Sequence, residues 1–118
     1  MATDTHHERR IHVVQDLFAY SFENKQFTPP HEDEMFVSIT EHIVDIDAWI
    51  VKYAPKFPIE KISKIDLAIL RLAVYELVIN PVEPQKVIIN EAVELAKEMG
   101  GEKSYLFING VLGKSVQQ

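Results

Sequence analysis

Cysteine is absent from the chain. That removes disulfides, thiolate nucleophiles and Cys-based zinc sites together and fits a reducing compartment. Glycine is scarce, with four in 118 residues, and the chain has no phosphate-cradling glycine loop, no GxSxG and no HExxH. An enzyme built on this sequence would have to be unorthodox, so neither catalysis nor a cofactor is expected. No apolar run reaches the roughly 18 to 20 residues needed to span a bilayer. The first residues, with their paired His and Arg, also lack the apolar segment of a signal peptide. The expectation is a cytoplasmic protein without membrane contact. Strand signals are missing too: no period-two alternation occurs, and the Asn109-Gly110 pair falls inside a helical pattern.

What is present fits one folded unit, with 47% hydrophobic and 25% charged residues. Net charge is −6, which argues against indiscriminate binding to nucleic acid and leaves room for a local basic patch. Residues 31–60 carry seven acids and two bases, whereas 61–118 carry seven of each. The middle is acidic and the C-terminal half balanced.

Apolar spacing predicts an all-α chain of about five main helices. The first covers about 5–22, with Ile11, Val14, Leu17 and Phe18 on one face and Val13 and Tyr20 broadening it. A connector at 23–30, closed by two prolines, separates it from a second helix running from 31 or 32 to about 53. Phe36, Ile39, Ile43, Ile46, Ile50 and Tyr53 form that helix's buried face, beside Trp49. Pro55 and Pro58 break it, leaving a short helical turn near 59–62.

Ser63 followed by Asp66 resembles a capping box with a shortened acid, and Leu67, Leu70, Val74, Leu77 and Val78 give a third helix at 64–79 its apolar face. Asn80-Pro81 stops it, and Pro84 suits the first turn of a fourth helix carrying Ile88, Ala92, Leu95 and Ala96, broadened by Val87. Gly100-Gly101 closes that helix, one glycine in the left-handed conformation. A fifth follows at about 102–116 with Leu106, Ile108, Val111 and Leu112 as core residues, and Gly110 and Gly113 predict close approach of a neighbouring helix.

Chemistry-bearing side chains are sparse. His6, His7, Glu8 and His12, or His31 with Glu34, match no compact metal-ligand spacing, so no metal is expected. Glu91 and Glu94 share a helical face with Lys97 and Glu98 nearby, which reads as a solvated charged face rather than an acid pair. Arg9 and Arg10 head an aromatic-bearing helix. Guanidinium groups grip phosphate and exposed rings stack on unpaired bases, so this constellation suits single-stranded RNA.

Three ordered blocks sharpen that reading. Asp66, Ala68, Ile69, Leu70, Arg71, Ala73, Tyr75, Glu76 and Leu77 form the first, INEAVELAK at 89–97 with Gly100 the second, and FINGVL at 107–112 the third. Together they closely resemble the transcription antitermination factor NusB family. Arg10, Gln15, Leu17 and Phe18 follow the family's pattern on helix one. The resemblance is dense over roughly 60–113, looser over the first 20 residues, and weak between. It implies a single NusB-like RNA-binding domain, a compact bundle of two packed helical subdomains. These are an N-terminal part over about 5–54, shortened relative to the family, and a C-terminal part over about 58–116.

The resemblance further implies a non-catalytic factor that binds boxA-type RNA of nascent ribosomal transcripts together with NusE, a small-subunit ribosomal protein, within the RNA polymerase antitermination complex. It places RNA contacts at Arg9, Arg10 and Gln15 and around the turn into the last helix, at Glu102, Lys103, Ser104 and Phe107. Lys103 stands where many relatives carry an acid, a change that favours RNA electrostatically. It places partner contacts at Glu60 and Asp66, and it matches Arg71, Tyr75, Asn90 and Asn109, which read as buried polar groups locking helices together. A second reading is a NusB-like protein-interaction module, self-associating as a homodimer through an exposed apolar face, without RNA binding.

Overall fold

The computed structural model describes residues 5–22 and 27–116. The described residues form six α-helices and no strand: α1 (Thr5–Tyr20), α2 (Glu34–Glu41), α3 (Ile43–Tyr53), α4 (Lys64–Val74), α5 (Gln85–Met99) and α6 (Ser104–Val116). A 3-10 turn (Ile59–Lys61) precedes α4 and a π-helical turn (Tyr75–Ile79) follows it. Of the expected connector, residues 23–26 lie outside the described residues.

The central element is α4. Every residue from Leu67 to Tyr75 is buried, because α1, α3, α5 and α6 all pack on this helix. A helix covered on all sides is apolar all round. The one charged group in that run, Arg71, donates to Asp47 of α3 from Nε at 2.9 Å and Nη2 at 2.8 Å. Arg71 is therefore the buried lock expected of it, Tyr75 is buried with its ring 6.3 Å from that of His42, and Asn90 and Asn109 are exposed.

The expected second helix is two. At His42 (φ −114°, ψ 17°) the chain leaves helical geometry, and the His42 N–H tightens onto the carbonyl of Ile39 at 3.0 Å. Ile39, Ile46 and Ile50 are all fully buried, a spacing one continuous helix would also give, so periodicity could not reveal the break. The first of the two also starts later than expected: its N-cap is Asp33, whose carboxylate accepts the Met35 N–H at 2.8 Å. Just before it, Glu32 has a left-handed φ of 48°. The fully buried Asp16 stabilises that turn by accepting the N–H groups on either side of it, His31 at 2.7 Å and Asp33 at 2.9 Å.

Other differences have local causes. The π turn widens the end of the expected third helix and rotates Val78 out of the core to 49% exposure. Phe18 and Leu106, also expected in the core, are exposed. Leu106 lies opposite the buried Ser104–Ile108–Val111 face of α6. Gly100 closes α5 in an extended conformation (φ −90°, ψ −172°), not a left-handed one. Space is its reason: a Cβ there would sit 2.6 Å from the Ser104 Cβ and 2.7 Å from the Ala96 carbonyl oxygen. Gly110 and Gly113 have open space instead, with nothing within 4 Å of an added Cβ, so no helix approaches them.

Candidate nucleic-acid interface

The paired arginines at the start of α1 have opposite fates. Helical geometry turns successive side chains about 100° apart, and here that sends Arg9 outward and Arg10 inward. Arg10 is 6% exposed. Its Nε and Nη2 donate to Glu76 at 2.9 and 2.8 Å, and Nη2 also reaches Glu83 at 2.5 Å. The Glu76 hydrogen bond holds the guanidinium well above its ordinary pKa. Arg10 is thus an interhelical lock on the π turn, and the expectation that it grips phosphate is corrected: the guanidinium is buried and its Nε–Nη2 edge is already held by two carboxylates.

Arg9 is half exposed, and its Nε and Nη2 fork lies on the Asp33 carboxylate at 3.1 and 2.9 Å. That contact raises the pKa of Arg9 and lowers that of Asp33. Gln15 is exposed and its Oε1 accepts from His31 Nε2 at 2.6 Å, while the His31 ring stacks on His12 at 4.0 Å. His7, one turn before Arg10, spans Glu91 (3.0 Å) and Glu98 (2.9 Å) of α5 through its two ring nitrogens. Those bonds, Glu91 first, raise its pKa.

Around the turn into α6, Glu102 and Lys103 are exposed. Ser104, expected to face RNA, is 8% exposed, and its hydroxyl accepts the Gly101 N–H at 2.8 Å. Its role is to close the turn, and it is withdrawn from the RNA set. Phe107 is partly buried against the core, its ring edge-to-face with Phe57 at 5.1 Å. Between the α1 and α6 groups, α5 makes contacts to both helices, to α1 through Glu91 and His7 at 3.0 Å and to α6 through Lys97 over the Tyr105 ring at 5.6 Å.

Phe107 opens on a groove that residue patterns alone did not single out. About 150 Å³ in volume, it is lined by Tyr53, Lys56, Phe57, Leu106, Gly110 and Lys114 among others, with no acidic residue. Phe57 is 46% exposed, and neither lysine forms an ion pair among the described residues. Lys52 adds a third ammonium over the Tyr53 ring at 5.2 Å. Its sequence signal was the KYAPKF stretch, where lysines alternate with aromatics at a helix end.

On the opposite flank of the 3-10 turn, exposed Glu60 lines a surface depression of about 930 Å³ with Phe22, Phe27 and Lys64. Asp66 stands in the first turn of α4. Ser63 Oγ accepts its N–H at 3.2 Å, and its own Oδ1 is buried without a hydrogen-bond partner. Only half of the capping box therefore forms. No group of three or more His, Asp or Glu side chains is placed to hold a metal ion among the described residues, and none of their helices is long and apolar enough to cross a membrane.

The model of the NusB family matches residues 30–117. The chain belongs to the NusB family. The transcription antitermination protein NusB of Lysinibacillus sphaericus is 40% identical, over 95% of this chain and 97% of that protein. The NusB protein of a Nitratiruptor species is 37% identical, over 92% and 88%. Among solved structures, T. maritima NusB superposes with a TM-score of 0.83 at 30% identity, covering all of this chain and 94% of that one. A crystal structure of antitermination factors NusB and NusE in complex with dsRNA gives 0.70 at 20% identity, over 93% and 96%, a likeness of fold.

Proposed function

We propose that this NusB-family chain is a non-catalytic transcription antitermination factor that binds boxA-type single-stranded RNA together with NusE. The carrying observation is the α3–α6 groove: in a chain of net charge −6, Lys56 and Lys114 flank Phe57 and Phe107 with no acid in the lining. Ammonium groups meet phosphates and an exposed ring offers a stacking face, the combination a single strand needs. Arg9, Gln15, Glu102 and Lys103 supply further exposed polar groups on α1 and the turn into α6. Exposed Glu60 and half-buried Asp66 supply the acidic groups of the partner surface, which suit a basic protein.

Titration of the full chain with a labelled boxA-type single strand, with and without NusE and at two salt concentrations, tests the reading. Binding that tightens with NusE and weakens with salt is the expected result; absence of binding under every condition overturns it. Arg9→Ala is expected to weaken RNA and spare NusE, and Asp66→Arg to do the reverse. A homodimer indifferent to RNA would favour the interaction-module reading, for which exposed Val44 (79%) and Val82 (78%) supply apolar surface.

A further inference from the structure

We infer that Asp33 is a built-in counter-anion seated on the phosphate-binding fork of Arg9, so that RNA gains this arginine only by displacing a carboxylate; the inference rests on the RNA reading above. A guanidinium edge donates to the paired oxygens of a carboxylate and of a phosphodiester in the same side-on geometry. Here that edge is taken: Nε lies 3.2 and 3.1 Å from the two Asp33 oxygens and Nη2 lies 2.9 Å from one of them.

The two partners differ in freedom. The Arg9 side chain is 48% exposed and that of Asp33 only 17%. Two bonds fix Asp33: its carboxylate caps α2 through the Met35 N–H at 2.8 Å, and its own N–H is held at 2.9 Å by Asp16, which also holds the neighbouring His31 N–H. Asp16 is fully buried, so the carboxylate is anchored to the core of the protein. Any exchange must therefore be a swing of Arg9 away from a stationary Asp33. The anion left behind repels the incoming phosphate, which lowers affinity without touching RNA. Specificity would benefit, because a weak, nonspecific polyanion gains little from one phosphate contact made against a resident carboxylate.

The test uses the full chain, Asp33→Asn, Arg9→Ala and the double variant, each titrated with the same single strand over a series of salt concentrations. Asparagine keeps the oxygen that caps α2, so thermal denaturation of Asp33→Asn is expected close to that of the unaltered chain. Asp33→Ser supplies a second cap of different shape if it is not. The expected result is a gain in affinity of roughly twofold to fivefold for Asp33→Asn, the worth of one exposed ion pair, with a salt slope steeper by about 0.7. No gain is expected in the Arg9→Ala background.

Unchanged affinity and slope in Asp33→Asn, with the unaltered chain binding normally, would overturn the inference and leave the RNA reading standing. An equal gain in the Arg9→Ala background would also overturn it, by making Asp33 a diffuse repulsive charge. Failure of every protein to bind would overturn the RNA reading, and this inference with it.

Discussion

Two basic regions of this molecule differ in what surrounds their charge. At the start of α1 the cations are arginines and a histidine, and each faces a carboxylate: Arg9 with Asp33, Arg10 with Glu76 and Glu83, His7 with Glu91 and Glu98. At the α3–α6 groove the cations are lysines, the neighbours are aromatic rings, and no acid lines the space. In the first region Arg10 and His7 hold helices together and only Arg9 stays half exposed, whereas the second is open to a ligand. Counting positive residues along the chain would rank them the other way, because a motif records charge and not the counter-charge that folding brings to it.

The contrast predicts a graded set of outcomes. Arg10→Ala leaves Glu76 buried without its cation, and a stability loss of about 3–5 kcal/mol in urea denaturation is expected; a loss under about 1 kcal/mol would return Arg10 to the surface arginines. Phe57→Ala removes an exposed face, so RNA affinity is expected to fall roughly tenfold, within the range for one lost stack, while the melting temperature barely moves. Unchanged affinity would exclude the groove from the RNA path. Lys56→Gln and Lys114→Gln are each expected to flatten the salt dependence of binding by about 0.7 in slope. Slopes equal to that of the unaltered chain would mean that neither ammonium meets a phosphate.

The smallest effect belongs to His7→Gln and depends on pH. Because Glu91 and Glu98 raise the His7 pKa, the protonated form is stabilised in the folded chain. Its contribution is fully present below the ordinary histidine value of about 6.5 and is lost as pH rises through the raised folded value. Melting temperatures of the two proteins are expected to differ most below about pH 6.5 and to converge as pH rises through the raised folded value. A constant difference would show that His7 acts through packing alone.

Much of this was legible beforehand. The all-helical class, the breaks at Pro55 and Pro58 and at Asn80-Pro81, and the burial of Leu67, Leu70 and Val74 follow from spacing and from residues that cannot continue a helix. The kink at His42 was hidden because α2 and α3 keep one apolar phase across it. Ser104, with a hydroxyl suited to RNA or to a turn, and Gly100, small for conformational or for spatial reasons, were each ambiguous until their neighbours were known.

The amino-acid sequence by itself determined the family and most of the helices, because these depend on periodicity, on local backbone chemistry and on ordered blocks of residues. Only the tertiary structure decided which cations are available. Arg9 and Arg10 are adjacent and chemically identical, and a turn of about 100° directs one toward solvent and the other onto Glu76, 66 residues away along the chain. Electrostatic availability depends on distance through space and on burial, and neither is written in the order of the residues.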